Sequence, residues 1–225
     1  MTEHQYDESK IKTLSSLEHI RKRPGMYIGR LGDGSHPDDG IYILLKEILD
    51  NAVDEFIMGH GKRVDIHVGD DGLCRVRDYG RGIPLGKVVE CVSVINTGAK
   101  YNTDVFQFSV GLNGVGTKAV NALSARFTVT AFRDGCYKTA VFAQGVLQSE
   151  EEGETKEKNG TLVEFLPDGE SFAQYRYDPQ YVEQRLWRYA YLNAGLSLYL
   201  DGTLFFSKNG LLDLLDREEI GRAHV

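Results

Sequence analysis

Three Asp-Gly pairs, at 71–72, 134–135 and 201–202, each lie between two short runs rich in apolar, β-branched and aromatic residues. Asp-Gly readily supplies the left-handed backbone of a tight hairpin turn, so each pair predicts two antiparallel strands. The paired runs are 64–68 with 73–77, 127–132 with 136–143, and 196–200 with 203–206. Two further strands, 145–148 and 161–165, flank an acidic insert at 150–158 that reads as a mobile loop. Helical patterns occupy 14–23, 46–61, 85–96, 114–123 and 179–192, while 29–40 and 97–109 read as loops. Hairpins and grouped helices, rather than alternating strand–helix units, predict an α+β fold. It is a two-layer α/β sandwich, a mostly antiparallel sheet with helices on one face.

The helix at 46–61 carries the first chemical signal. Leu45, Ile48, Leu49, Ala52 and Phe56 form an apolar stripe, and Gly59 and Gly61 end the helix. Glu47, Asn51 and Asp54 follow one another at i, i+4 and i+7, so they share a second face. A carboxylate and an amide one turn apart can address the same small target. An amphipathic helix with a solvated acidic edge has the same pattern.

Two glycine clusters follow. In the first, Asp78 stands where a strand ends, and Gly80, Arg81, Gly82, Ile83 and Pro84 come after it. The glycines let backbone approach a flat ligand, the carboxylate can accept from an exocyclic amine, and Ile83 and Pro84 can cover a ring. An ordinary strand-to-helix turn reads the same way. In the second, Gly111, Leu112, Asn113, Gly114, Val115 and Gly116 open a helix, where backbone N–H groups favour an anion. Thr117-Lys118 reverses the order that a Walker loop needs, so this is not one. Lys100, in the preceding loop, can reach a terminal phosphate, whereas Lys118 reads as a surface residue. Thr161 becomes relevant only if its strand lies opposite Asp78.

Hydrophobic residues make up 41% of the chain, and no apolar run approaches the ~20 residues of a membrane span. The three cysteines are odd in number and far apart, which suits a reducing cytoplasm better than a disulfide framework. The net charge of −7 is the wrong sign for a surface that grips DNA tightly by itself.

The segments RKRPGMYIG (21–29), DNAVDE (50–55), 78–84 and GLNGVGTKAVNALS (111–124) resemble the GHKL ATPase superfamily of gyrases, chaperones, histidine kinases and mismatch-repair proteins. Within it, the chain resembles the N-terminal ATPase domain of the B subunit of bacterial type II topoisomerases, from Tyr6 to about Asp216. RKRPGMYIG belongs to that branch, and a chaperone or mismatch-repair ATPase is the alternative. The resemblance implies ATP and Mg2+ as cofactors. It makes Glu47 the general base, Asn51 the Mg2+ ligand and Asp78 the adenine acceptor, partly through a water shared with Thr161. Arg81, Gly82, Ile83 and Pro84 border the adenine. Lys100 and residues 111–116 wrap the phosphates, and Arg133 lines the outer pocket. Tyr6 and Ile11, in an N-terminal dimerisation arm at 1–13, reach the partner's nucleotide when ATP closes a homodimer. The topoisomerase A subunit and DNA are the further partners, with DNA held mainly by other domains.

Asn113 stands where gyrases usually carry histidine, and Phe106 where many carry tyrosine. Both incline the reading to topoisomerase IV over gyrase. The ATPase domain is expected at 14–219. The tail at 220–225 reads as non-native, the product of a sequencing adapter, and a fragment without the second-domain lysine is expected to be a weak ATPase.

Overall fold

The computed structural model describes residues 14–95, 97 and 114–223. The helices are α1 (Ser16–Lys22), α2 (Gly25–Ile28), α3 (Gly40–Ile57), α4 (Val88–Ser93), α5 (Gly116–Ala122), α6 (Pro179–Leu192) and α7 (Leu211–Ala223). The strands are β1 (Arg63–Val68), β2 (Cys74–Asp78), β3 (Ser124–Arg133), β4 (Cys136–Ala143), β5 (Val146–Glu154), β6 (Gly160–Pro167), β7 (Ser197–Leu200) and β8 (Thr203–Phe205). Among the described residues these strands form one sheet in the order β5-β4-β3-β6-β2-β1-β7-β8. Every neighbouring pair is antiparallel except β1 and β7, which run parallel.

Alternate residues of the central strands, including Val64 and Ile66, Cys74 and Val76, Phe127 and Val129, and Val163 and Phe165, are buried. They meet Leu45, Ile48, Leu49 and Ala52 of α3 in one apolar core. Each Val, Leu, Ile or Phe among them contributes roughly 1.5–3 kcal/mol when fully removed from water. The expected α+β class and the three Asp-Gly hairpins are therefore present. So is α6, whose start is set by Asp178 accepting from the Gln180 N–H at 2.8 Å, with Pro179 at the first position.

Several expectations need correction. Helix α3 begins at Gly40, not Lys46, because Ile41, Tyr42, Leu44 and Leu45 are all buried and extend the apolar face by more than a turn. The segment at 85–96 divides into a 3-10 turn (Leu85–Lys87) and the short α4, and the chain is extended at Val94. The acidic insert is mostly strand: β5 continues through Glu154, and its stretch 149–154 pairs in register with β4, with a register shift between Val141 and Phe142. Its like charges are offset by Lys138, whose ammonium lies 2.8 Å from Glu150 and 3.5 Å from Glu152. A glutamate-rich outer strand also resists pairing with a further strand. Helix α7 follows the last hairpin where the sequence pattern suggested no element. The expected loop at 97–109 lies outside the described residues except for Thr97.

One contact from the 21–29 segment buttresses the region described next. Arg21 donates to the Ala122 carbonyl at 2.8 Å and pairs with the nearly buried Asp168 at 2.7 Å. That fastens α1 to the end of α5.

Candidate nucleotide site

Helix α3 carries the candidate residues along its polar face. Glu47, Asn51 and Glu55 follow at i, i+4 and i+8, so Glu47 and Glu55 are about 12 Å apart along the axis. Glu47 and Asn51 meet the start of α5, and Glu55 meets the turn after β2. At one end, Glu47 faces the start of α5: a Cβ added to Gly116 would overlap its Oε2, so this carboxylate needs glycine there. One turn on, the Asn51 side-chain amide donates to Thr117 Oγ1 at 2.8 Å and to the Glu47 carbonyl at 2.9 Å. At the other end, Glu55 grips the glycine turn after β2. It accepts from the Arg81 backbone N–H at 2.9 Å and from the Arg81 guanidinium at 2.9 and 3.1 Å.

Asp78 closes that end. It is the last residue of β2 and is only 8% exposed. Its two carboxylate oxygens accept backbone N–H groups from Gly80 at 2.8 Å and Thr161 at 3.2 Å. Thr161 reaches it because β6 lies beside β2 in the sheet. Gly160 makes the close approach possible: it has φ +138°, and a Cβ there would collide with the Asp78 carbonyl. Arg77, also buried, donates to that carbonyl and to Lys158 O at 2.5 Å, with its guanidinium between the Tyr79 and Phe132 rings. Arg133 donates to the Gly82 carbonyl at 3.3 Å, so it covers the outside of the turn.

Burial pushes the Asp78 carboxyl up to about 6, with the Glu55 charge adding to the rise, although the Gly80 and Thr161 N–H groups oppose it. Burial also acts on Glu55, but its bonds to Arg81 outweigh that and hold its carboxyl below the ordinary value. Because the Asp78 pKa is raised above the ordinary 3.8, the folded chain binds the proton more tightly than the unfolded one between about pH 4 and 6. Its stability contribution is complete below that window and is lost as pH rises through it. In guanidinium unfolding series, Asp78→Asn is expected to gain on the parent by an amount on the order of 2 kcal/mol between pH 4 and 6.5. A constant difference across that range would remove Asp78 as the source.

Of the residues singled out from sequence, Glu47, Asn51, Asp78, Arg81, Gly82, Gly116, Thr161 and Arg133 line or brace this region. Ile83 is half-buried against the core and Pro84 is exposed. Gly114 and Val115 are half-buried and lead into α5. Tyr6, Ile11, Lys100, Phe106, Gly111, Leu112 and Asn113 lie outside the described residues. Lys118 is a correction: it is 4% exposed, and its ammonium donates to the Thr97 carbonyl at 2.7 Å instead of facing water. Asp54, expected on the polar face, is 1% exposed. Glu55 and Thr117 escaped sequence reading, although Glu55 stands four residues after Asn51 and Thr117 directly follows Gly116.

A helix carboxylate and amide against a glycine-opened helix, with a buried strand-end aspartate beside the far end of the same helix, is an arrangement compatible with a nucleotide-binding ATPase. The chain belongs to the histidine kinase-, DNA gyrase B- and HSP90-like ATPase family, whose model matches residues 37–170. It is 61% identical over 213 residues to the B subunit of DNA topoisomerase 4 of Borreliella burgdorferi, covering 95% of this chain and 35% of that protein. It is 41% identical over 204 residues to the B subunit of DNA gyrase of Thermus thermophilus, covering 86% and 31%. The crystal structure of the 43K ATPase domain of Thermus thermophilus gyrase B, in complex with an aminocoumarin, has a TM-score of 0.75 at 34% identity, covering 91% of this chain and 55% of that one. The chain spans about a third of the length of the curated relatives it matches. No helix among the described residues is long and apolar enough to cross a membrane.

Proposed function

We propose that the chain is the ATP-binding and hydrolysing clamp segment of the B subunit of a type II DNA topoisomerase, of topoisomerase IV rather than gyrase type. The observation that supports this is that α3 carries Glu47 and Asn51 against the start of α5 and, through Glu55, reaches the turn that follows Asp78. The 61% identity to the B subunit of a topoisomerase 4 supports the choice of branch.

In this reading Asp78 accepts the adenine amine. Each of its oxygens keeps a second lone pair beyond the backbone bond it already accepts. Arg81, Gly82, Ile83 and Pro84 border the base, and residues 111–116 with Lys100 enclose the phosphates. Glu47 orients a water against the γ-phosphate and takes its proton. Asn51 offers an amide oxygen suited to a hard cation that keeps most of its water and is otherwise held by phosphate. Among the described residues no group of three or more His, Cys, Asp or Glu forms a dedicated cage, which fits a metal that arrives with its nucleotide. When bound, Mg2+ would be held by Asn51 and would supply positive charge to offset that of the phosphates.

The ATPase domain is taken as 14–219, with 1–13 as the dimerisation arm carrying Tyr6 and 220–225 as a non-native tail. ATP closes a homodimer, the topoisomerase A subunit completes the enzyme, other domains hold most of the DNA, and the setting is the cytoplasm. Calorimetric titration with a non-hydrolysable ATP analogue tests the reading. One site per chain is expected, tightening at least about tenfold when Mg2+ is added. Absence of binding, or binding indifferent to Mg2+, would overturn it.

A further inference from the structure

Residues next to one another on a helix point about 100° apart and do not normally meet. Lys46 and Glu47 do: the ammonium lies 3.8 Å from Glu47 Oε1. The cause is Asp50, one turn on, which holds the same ammonium at 2.5 Å and has a side chain only 2% exposed. Asp50 in turn accepts a hydrogen bond from the Tyr189 hydroxyl of α6. Lys46 is therefore pinned from below by an anchored carboxylate and cannot wander as an exposed lysine would. Glu47 is held on two sides, with Oε1 toward Lys46 and Oε2 toward Gly116 at the start of α5.

We infer that Lys46, fixed by Asp50 and Tyr189, is a positioning residue that sets the orientation of the Glu47 carboxylate. The inference rests on the hydrolytic reading of Glu47 given above. A carboxylate that must meet a water in line with a phosphate works only within a narrow range of position and angle. With Lys46 shortened or neutral, Glu47 keeps Gly116 and Asn51 as neighbours but loses the charge that fixes its outer oxygen. The Lys46 ammonium is engaged by Asp50, so the effect is expected to fall on the chemical step and not on binding.

The test is single-turnover ATP hydrolysis with protein in excess, beside calorimetric affinity for the non-hydrolysable analogue, on the parent, Lys46→Met, Lys46→Arg, Tyr189→Phe and Glu47→Gln. Lys46→Met is expected to lower the rate about tenfold with affinity within about twofold. Lys46→Arg, whose fork spans both carboxylates, is expected to recover most of the rate. Tyr189→Phe is expected to fall between parent and Lys46→Met. A parental rate in Lys46→Met, or equal loss of rate and affinity, overturns the positioning role while leaving the hydrolytic reading intact if Glu47→Gln is slow. A Glu47→Gln variant as fast as the parent removes both.

Discussion

Glu47→Gln is expected to bind the ATP analogue within about twofold of the parent while single-turnover hydrolysis falls about 10²–10⁴-fold. The substitution keeps the shape of the side chain against Gly116, where no Cβ could be accommodated beside it. It removes only the capacity to accept a proton. Binding is expected to survive because the proposed adenine acceptor, Asp78, lies beside Glu55, about two turns further along α3 than Glu47. Hydrolysis by Glu47→Gln at the parental rate would mean that another group accepts the proton. Among the described residues, Asp50 is the second carboxylate on the same turn of α3, and it is engaged by Lys46 and Tyr189.

Asp78→Ala is expected to fail at the other end, with analogue affinity falling about ten- to a hundredfold, since hydrogen bonds to charged groups contribute ~1.5–3 kcal/mol. The loss has two sources. The ligand loses its acceptor, and the Gly80 and Thr161 N–H groups that now converge on Asp78 lose theirs. Thermal unfolding of the variant separates the two, because only the second lowers the melting temperature without ligand. Full analogue affinity in a folded Asp78→Ala variant would place the base elsewhere in the molecule.

Much of this site was legible because its parts are local. Glu47 and Asn51 are one helical turn apart, so period alone puts them on one face. Asp78 ends a strand that an Asp-Gly turn had already located, and Gly116 opens a helix whose apolar residues announce themselves. Lys118 departs from its surface reading because its long stem can bury while its ammonium finds a carbonyl, here that of Thr97, 21 residues away. A glutamate-rich run such as 150–154 looks unstructured until a partner strand is known. It becomes β5 because β4 satisfies its backbone and Lys138 its charge. Glu55 was passed over because its partner, Arg81, lies 26 residues on, across a hairpin.

From sequence alone came the element types, the three hairpins and the chemistry of the residues on α3 and at the end of β2, since all of these depend on neighbours within a few positions. The sheet order had no such local code. β6 lies between β3 and β2, 83 residues separate Asp78 from Thr161, and β7 returns to run parallel beside β1. Those pairings were chosen by which faces could bury their apolar residues together against α3, a quantity that exists only once the whole chain has collapsed. That choice brought a threonine N–H onto the aspartate and a tyrosine of α6 onto Asp50, contacts that no local pattern specified.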